Sequence, residues 1–264
     1  MPSFEGLGGT FDTVVNKYEK MRPGYAPELY QMIFDYVNIG GNSRAVEVGS
    51  GSGQATLPVL ARGCEIISVE YGENFSKLLA DKFKDYKFSV ITGKFEDVEL
   101  PFDSFDLVFS ATAFHWVPEE IGYKKVYEIL KSGGAFARFA NNPFTAKNDP
   151  ELAAKIDSYY DEYYNRFHNR KSKPKIEFNE ERAIERANIA AKYGFTDIKH
   201  ALFHRERVFT AAEYLELLGT YSDHIAIEEK IRNEFFGKIE AAINESGGTI
   251  TISDTMDLEL ARKV

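Results

Sequence analysis

The chain has 264 residues, 44% of them hydrophobic, and a formal net charge of −9 at pH 7, which suits one globular domain with room for an insertion. That acidity disfavours a phosphate backbone or an anionic membrane as the main partner, and no apolar run approaches the roughly 18 residues that mark a membrane span. Cys64 is the only cysteine, which excludes an internal disulfide and a cysteine metal cluster; no other metal set is expected. The first ten residues lack the basic start and apolar run of a signal peptide, so a cytoplasmic setting is expected.

Phe11 to Lys20 carries apolar residues at helical spacing (Phe11, Val14, Val15 and Tyr18). Pro23 and Gly24 break it, and Pro27 opens a second helix whose apolar face is Leu29, Tyr30, Ile33, Phe34 and Val37. Tyr18, Arg22 and Tyr25 belong either to a flap on the core or to a ligand contact. Arg44 to Thr56 then reads as a buried strand, a turn with glycines at Gly49, Gly51 and Gly53, and the start of a helix. Glycine backbone lets a ligand approach closely, and a helix start adds unpaired N–H groups. The spacing fits neither G-x-G-x-x-G nor a P-loop, since Gln54 takes the third glycine's place and no lysine follows. Glu47, in the strand before the turn, suits a ligand with an ammonium group.

Glu65 to Val69 is a second strand ending in Glu70-Tyr71. An acid at a strand end about twenty residues past the first glycine suits ribose hydroxyls. A helix over Asn74 to Phe83 and a third strand over Lys87 to Thr92 follow. The fourth strand, Phe105 to Phe109, opens into S-A-T-A-F-H-W-V. The small Ser110 and Ala111 leave room for a ligand at the strand end. Phe114, His115 and Trp116 come next, and the pair His115-Trp116 is either a packed pair or an acceptor contact. His115 is the one general-base candidate whose free pKa suits pH 7.

A helix over Ile121 to Leu130 is expected to stop at Gly133-Gly134, with a fifth strand over Ala135 to Ala140. Thr145 to Pro174 departs from the alternation and is crowded with aromatics, among them Tyr159, Tyr160, Tyr163, Tyr164 and Phe167. It reads as a helical insertion, 145–178 at its widest, serving as a substrate lid or as a prop on the sheet edge. Tyr160 and Tyr164 are its candidate substrate contacts. A helix over Glu180 to Tyr193, a sixth strand within Phe195 to Phe209, a capped helix over Ala211 to Leu218, a long helix over Ile225 to Asn244 and a final alternating strand complete the chain. Alternating strands and helices mean an α/β fold with a mainly parallel sheet.

The motif E-x-G-x-G-x-G at Glu47 to Gly53 resembles the first motif of class I S-adenosylmethionine (SAM) dependent methyltransferases. Y-(x)3-R-P-x-Y at Tyr18 to Tyr25, G-K-F-E-D after the third strand, and Y-E-I-L-K-S-G-G-A-F before the fifth also resemble that family. A-F-H-W at 113–116, T-Y-S-D-H at 220–224 and the late G-G-T resemble its trans-aconitate-methyltransferase-like subgroup. The resemblance implies a Rossmann-like fold over 1–264 as a single domain, with seven strands, the last antiparallel, and helices on both faces. It implies SAM as cofactor, held by Glu47, Gly49, Ser50, Gly51, Gly53, Glu70, Tyr71, Phe95, Glu96, Ser110 and Ala111. In much of the family an aspartate occupies the place of Lys94; here Glu96 or the backbone around Phe95 could supply the adenine contact instead. The acceptor side would hold Tyr18, Arg22, Tyr25, Phe114, Trp116, Tyr160 and Tyr164, with a carboxylate among the candidate acceptors, no nucleic acid or membrane, and a monomer or homodimer. A SAM-binding sensor without turnover is the alternative. A nicotinamide oxidoreductase is disfavoured by the early third glycine and Glu47.

Overall fold

The computed structural model describes residues 24–264. The expected helix at Phe11 to Lys20, and Tyr18 and Arg22 with it, lie outside the described residues. In chain order, the elements begin with α1 (Pro27–Tyr36), β1 (Arg44–Val48), α2 (Thr56–Leu60), β2 (Glu65–Glu70), α3 (Glu73–Lys82), β3 (Phe88–Thr92) and β4 (Phe105–Ala111). A 3-10 turn (Phe114–Trp116), α4 (Glu119–Ile129), β5 (Leu130–Phe144), α5 (Pro150–Tyr159) and a π-helical turn (Tyr160–Asn165) follow. The last are α6 (Glu180–Ala187), a 3-10 turn (Ala190–Tyr193), β6 (Thr196–Thr210), α7 (Ala211–Leu218), α8 (Ser222–Ile225), α9 (Glu229–Glu245) and β7 (Thr249–Arg262).

The seven strands form one sheet in the order β3-β2-β1-β4-β5-β7-β6. The pairs β3–β2, β2–β1, β1–β4 and β4–β5 are parallel. β7 runs against β5: Gly133 donates its N–H to the Lys263 carbonyl, while Asn142, later on β5, donates to the carbonyl of the earlier Thr255. This is the Rossmann-like class I methyltransferase fold, with a mixed sheet and helices on both faces. Parallel strands covered on both sides read as apolar runs, and the alternation of side chains explains which layer each residue joins. Ala45, Ile66, Leu107, Phe109 and Phe139 face the layer of α1, α2 and α3. Val46, Val69, Val108 and Phe136 face the layer that holds Tyr123 and Val126 of α4.

The chain divides into two compact units. The larger comprises 24–141, Phe178–Phe203 and Met256–Val264; the smaller comprises Asn142–Glu177 and His204–Thr255. The insertion expected at 145–178 therefore clusters with α7, α8 and α9. These share a core of Leu152, Ile156, Tyr164, Leu217, Phe235 and Ile239, all buried. Among the described residues, no helix is long and apolar enough to cross a membrane.

Several elements differ from expectation. The helix expected to run to Leu130 ends at Ile129, and β5 starts there, so Gly133 and Gly134 lie inside a strand. They stay in the strand because the backbone of Gly133 and Gly134 pairs with Lys263. The helix expected over Glu180 to Tyr193 stops at Ala187 and re-forms as the 3-10 turn, closed by Gly194 at φ 90°. The long helix begins at Glu229 rather than Ile225. The capping box of Thr210 and Glu213 is present as expected: the threonine hydroxyl accepts from the Glu213 N–H and the glutamate accepts from the Thr210 N–H.

Candidate active site

The carboxyl ends of β1, β2 and β3 stand side by side, with Val48 opposite Val69 and Glu70 opposite Thr92. Ligands of open α/β sheets bind in the crevice outside such ends. The turn after β1 leaves the strand at Gly49, whose N–H bonds the Val69 carbonyl at 2.9 Å and whose φ is +72°. A Cβ there would stand 2.4 Å from the Cβ of Ala113, in the loop after β4. A Cβ on Gly53 would stand 2.6 Å from the ring of Phe83. These two glycines thus let the β1 turn nest against its neighbours.

Glu70 closes the turn. Its carboxylate accepts the Gly51 N–H at 2.8 Å through Oε2 and the Gly72 N–H at 2.9 Å through Oε1. Two backbone donors orient the group. Lys82, in the last turn of α3, donates to the Ser52 carbonyl at 2.9 Å and ties the outer part of the turn to the β2–α3 unit. Ser50 shares a 2.6 Å hydroxyl bond with Ser68.

Glu47 is fully buried below the turn. Its Oε2 accepts the Thr56 hydroxyl at 2.6 Å, while Oε1 has no hydrogen-bond partner. Burial pushes its carboxyl up to about 7, against the Thr56 and Ser50 hydroxyls, and the Glu70 charge adds to the rise. A buried, half-satisfied carboxylate is costly unless something cationic or donating completes it. Tyr30 of α1 is buried nearby with its hydroxyl unpartnered, and burial followed by the charges of Tyr25 and Glu47 raises its pKa.

At the end of β4, Thr112 holds φ +54°, a left-handed conformation that is rare for a β-branched residue. Its hydroxyl bonds the Tyr25 phenol at 2.6 Å and accepts the Asn141 N–H at 3.1 Å, which holds the strained residue in place. Tyr25 in turn meets Phe139 edge-on at 4.7 Å. His115 is exposed and lies against Trp116, with ring centroids 5.0 Å apart. Desolvation by the surrounding protein, then the charges of Arg138 and Arg186, lower its pKa to about 4. The lowering runs against the free-solution argument for His115 as a base near pH 7.

The structure thus brings together Glu47, Gly49, Ser50, Gly51, Gly53 and Glu70, with Tyr25 and Thr112 at the next strand end. It removes some predicted side chains from any ligand. Ser110 is buried and donates to the Val48 carbonyl, so it staples β4 to β1. Phe95 and Phe114 are buried in the core under α4. Only backbone at Phe95 and Ser110 remains for contact. Tyr71 and Trp116 are exposed, at 51% and 43%. Glu96 and Ala111 are half-buried.

Tyr160 and Tyr164 belong to the smaller unit and are spent inside it. Tyr160 bonds His224 Nε2 at 2.9 Å, and Tyr164 donates to Asp223 Oδ2. Asp223 Oδ1 also lies 2.9 Å from His224 Nδ1. The expectation that these phenols face a substrate is corrected by this packing: a π-helical turn rotates both rings towards α8. Residues the sequence reading missed are Thr56, Thr112 and Gly72. Thr56 was legible as a hydroxyl nine residues after Glu47 at a helix start; nothing in the sequence signalled the conformation of Thr112.

Residues 46–137 match a family described as a methyltransferase domain. An uncharacterized methyltransferase of Schizosaccharomyces pombe is 27% identical over 254 residues, 95% of this chain and 92% of its own. A solved structure described as a type II methyltransferase from Anaeromyxobacter dehalogenans aligns with a TM-score of 0.62 at 20% identity, over 91% of this chain and 97% of that one. Phosphoethanolamine N-methyltransferase 2 of Haemonchus contortus, in complex with phosphomonomethylethanolamine and S-adenosylhomocysteine, aligns with a TM-score of 0.57 at 16% identity, over 100% of this chain and 61% of that one. Residues 46–137 are thus similar to a methyltransferase domain, and the sheet with its helices has the class I methyltransferase fold.

Proposed function

We propose that the chain methylates a small-molecule acceptor, a carboxylate by preference, within the trans-aconitate-methyltransferase-like subgroup. Support for the acceptor class comes from the likeness of A-F-H-W at 113–116 and T-Y-S-D-H at 220–224 to that subgroup, beside a lowered His115 pKa that disfavours a general base. An acceptor that arrives already ionised needs no base. The acidic chain, at −9, supports a small molecule over nucleic acid.

When bound, SAM supplies a methyl carbon activated by a positive sulfur. The protein's task is then positioning, which can contribute about 7–11 kcal/mol. Glu47 completes its carboxylate with the donor's ammonium group, and Glu70 takes the ribose hydroxyls. The backbone of Gly49 to Gly53 admits the methionine and ribose part. The backbone at Phe95, with Glu96, borders the adenine, and Tyr71 flanks the ribose end. Backbone at Ser110, with Ala111, lines the methyl end. Tyr25, His115 and Trp116 form the acceptor side, where His115 offers a neutral hydrogen bond.

The test is product formation. S-Adenosylhomocysteine release is followed with a panel of small mono-, di- and tricarboxylic acids, amines and thiols. A carboxyl methyl ester formed from an acid, with a turnover number at saturating donor that is flat from pH 6.5 to 8.5, is the expected result. Turnover only with amines or thiols overturns the carboxylate preference. Donor binding without turnover on any member favours the sensor alternative.

A further inference from the structure

The segment after β3 is a short turn over Lys94 to Val98. The Asp97 and Val98 N–H groups both return to the Lys94 carbonyl, at 3.0 and 3.2 Å. It folds back over Gly93, where a Cβ would stand 3.2 Å from the Val98 side chain. Gly93 itself donates to the Glu70 carbonyl at 2.9 Å. This turn therefore begins one residue after Gly93, which pairs with the β2 end that carries Glu70, and it borders the same crevice.

Such a turn leaves carbonyls pointing the same way, and here they converge on one ammonium group. Lys125 of α4 reaches across with Nζ 2.5 Å from the Phe95 carbonyl and 3.3 Å from the Glu96 carbonyl, and it also donates to the Val98 carbonyl. A lysine has three N–H donors, which matches three acceptors. Its charge also sits 5.0 Å from the centroid of the buried Phe95 ring. Burial lowers the Lys125 pKa, with Asp97, Glu96, Glu128 and Glu99 acting in the opposite sense. On the far side of the turn, residues Glu96 to Phe102 face Ile121, Lys124 and Glu128 across an open groove. The lysine spans what packing does not fill.

We infer that Lys125 is a positioning residue for the cofactor: by gathering the carbonyls of Phe95, Glu96 and Val98 it fixes the turn whose backbone meets the adenosine end of the donor. No side-chain acid is then needed in the place of Lys94, because the main chain, held by a cation from behind, presents the contact surface. Charge-assisted bonds to one group are stronger than neutral ones and set the turn's shape in advance of binding. Lys125 does not touch the donor. It acts through the turn. The inference rests on the placement of the adenine at this turn.

The experiment is calorimetric titration of the full chain with S-adenosylhomocysteine and, separately, with adenosine, alongside thermal melting of the unliganded proteins. Lys125→Met is expected to weaken both ligands by the same factor, at least about tenfold. Lys125→Arg keeps a charge but not the compact three-donor geometry, and is expected to fall between the two. Lys124→Met, on the neighbouring exposed lysine that pairs with Glu120, should bind as the wild type does. If Lys125→Met melts lower yet binds both ligands within twofold of wild type at 10 °C, the lysine is only a structural prop and the inference is overturned. If Lys125→Met does not fold, the Lys125→Arg titration decides: affinity equal to wild type overturns the inference. A loss confined to S-adenosylhomocysteine, with adenosine unaffected, leaves donor binding intact as a reading but removes the adenine from this turn. Wild-type protein that binds neither ligand would remove the site assignment itself.

Discussion

At the scale of single residues, the proposed donor site rests on atoms that have no room or no partner. Gly49 is the first case. Its φ of +72° and the 2.4 Å approach of Ala113 mean that a methyl group meets backbone-attached carbon, which cannot swing aside. Gly49→Ala is expected to cost about 1–3 kcal/mol from strain alone, seen as a lower melting temperature, and to displace the turn enough to abolish measurable S-adenosylhomocysteine binding. A variant with wild-type melting and affinity would show that the turn is slack. Glu47 is the second case. Its carboxyl is raised to about 7 by burial, so the folded chain without donor holds the proton at mildly acid pH. The donor's ammonium prefers the ionised form. Affinity for S-adenosylhomocysteine should therefore rise from pH 6 to pH 7.5 and flatten above, while Glu47→Gln should bind more weakly with no such rise. Identical pH profiles for the two proteins would remove Glu47 from the ammonium contact.

At the scale of elements, the strands that a sequence exposes best are those buried on both faces. β1, β2 and β4 read as apolar runs because both layers claim their side chains, and the glycine turn was legible because three glycines on alternate positions have little other use. The start of β5 was not, since K-S-G-G looks like a helix stop, and only pairing with Lys263 makes a strand of it. β7 was legible as a final strand from its alternation of apolar and polar residues, but the burial of Asp254, Asp257 and Glu259 was not. Each meets an arginine or tyrosine that lies far away in sequence. The aromatic insertion was legible as a helix but not as one with a π-helical turn, because that turn answers to Asp223 and His224 of another element. Burial alone would raise the Asp223 carboxyl, but bonds from His224 and Tyr164 hold it well below the usual range. An acid of lowered pKa stabilises the fold above its unfolded value near 3.8 and loses that contribution as pH falls. Asp223→Asn should therefore destabilise the protein by about 1–3 kcal/mol at pH 7, with the difference shrinking towards pH 3. Affinity for S-adenosylhomocysteine should not change. Equal loss at pH 7 and pH 3 would show that charge plays no part in the lock.

At the scale of the whole molecule, the net charge of −9 conceals two populations of acids. Most are solvated. A few are buried in the sheet, and these tie the stability of the folded chain to pH. Glu259 is the strongest of them. Its side chain accepts the Tyr123 phenol at 2.9 Å, Arg138 stands 3.7 Å away, and Oε2 has no hydrogen-bond partner. Desolvation outweighs the arginine, and the carboxyl is pushed up to about 8. A folded-state value above the unfolded one means that the fold prefers the protonated form. The balance is fully favourable below about 4.5 and is lost as pH rises towards 8. Glu47 acts in the same direction over a lower range. The unliganded protein should therefore melt at progressively lower temperature from pH 5.5 to pH 8.5. Glu259→Gln keeps an acceptor for Tyr123 and carries no proton to lose. Its melting curve should fall less steeply over that interval and cross above the wild type near the alkaline end. The residual slope belongs to Glu47, so saturation with S-adenosylhomocysteine, which engages the ionised form of Glu47, should flatten it further. Parallel melting curves for the two proteins from pH 5.5 to pH 8.5 would place the Glu259 proton elsewhere and leave Arg138 as the group that sets its charge.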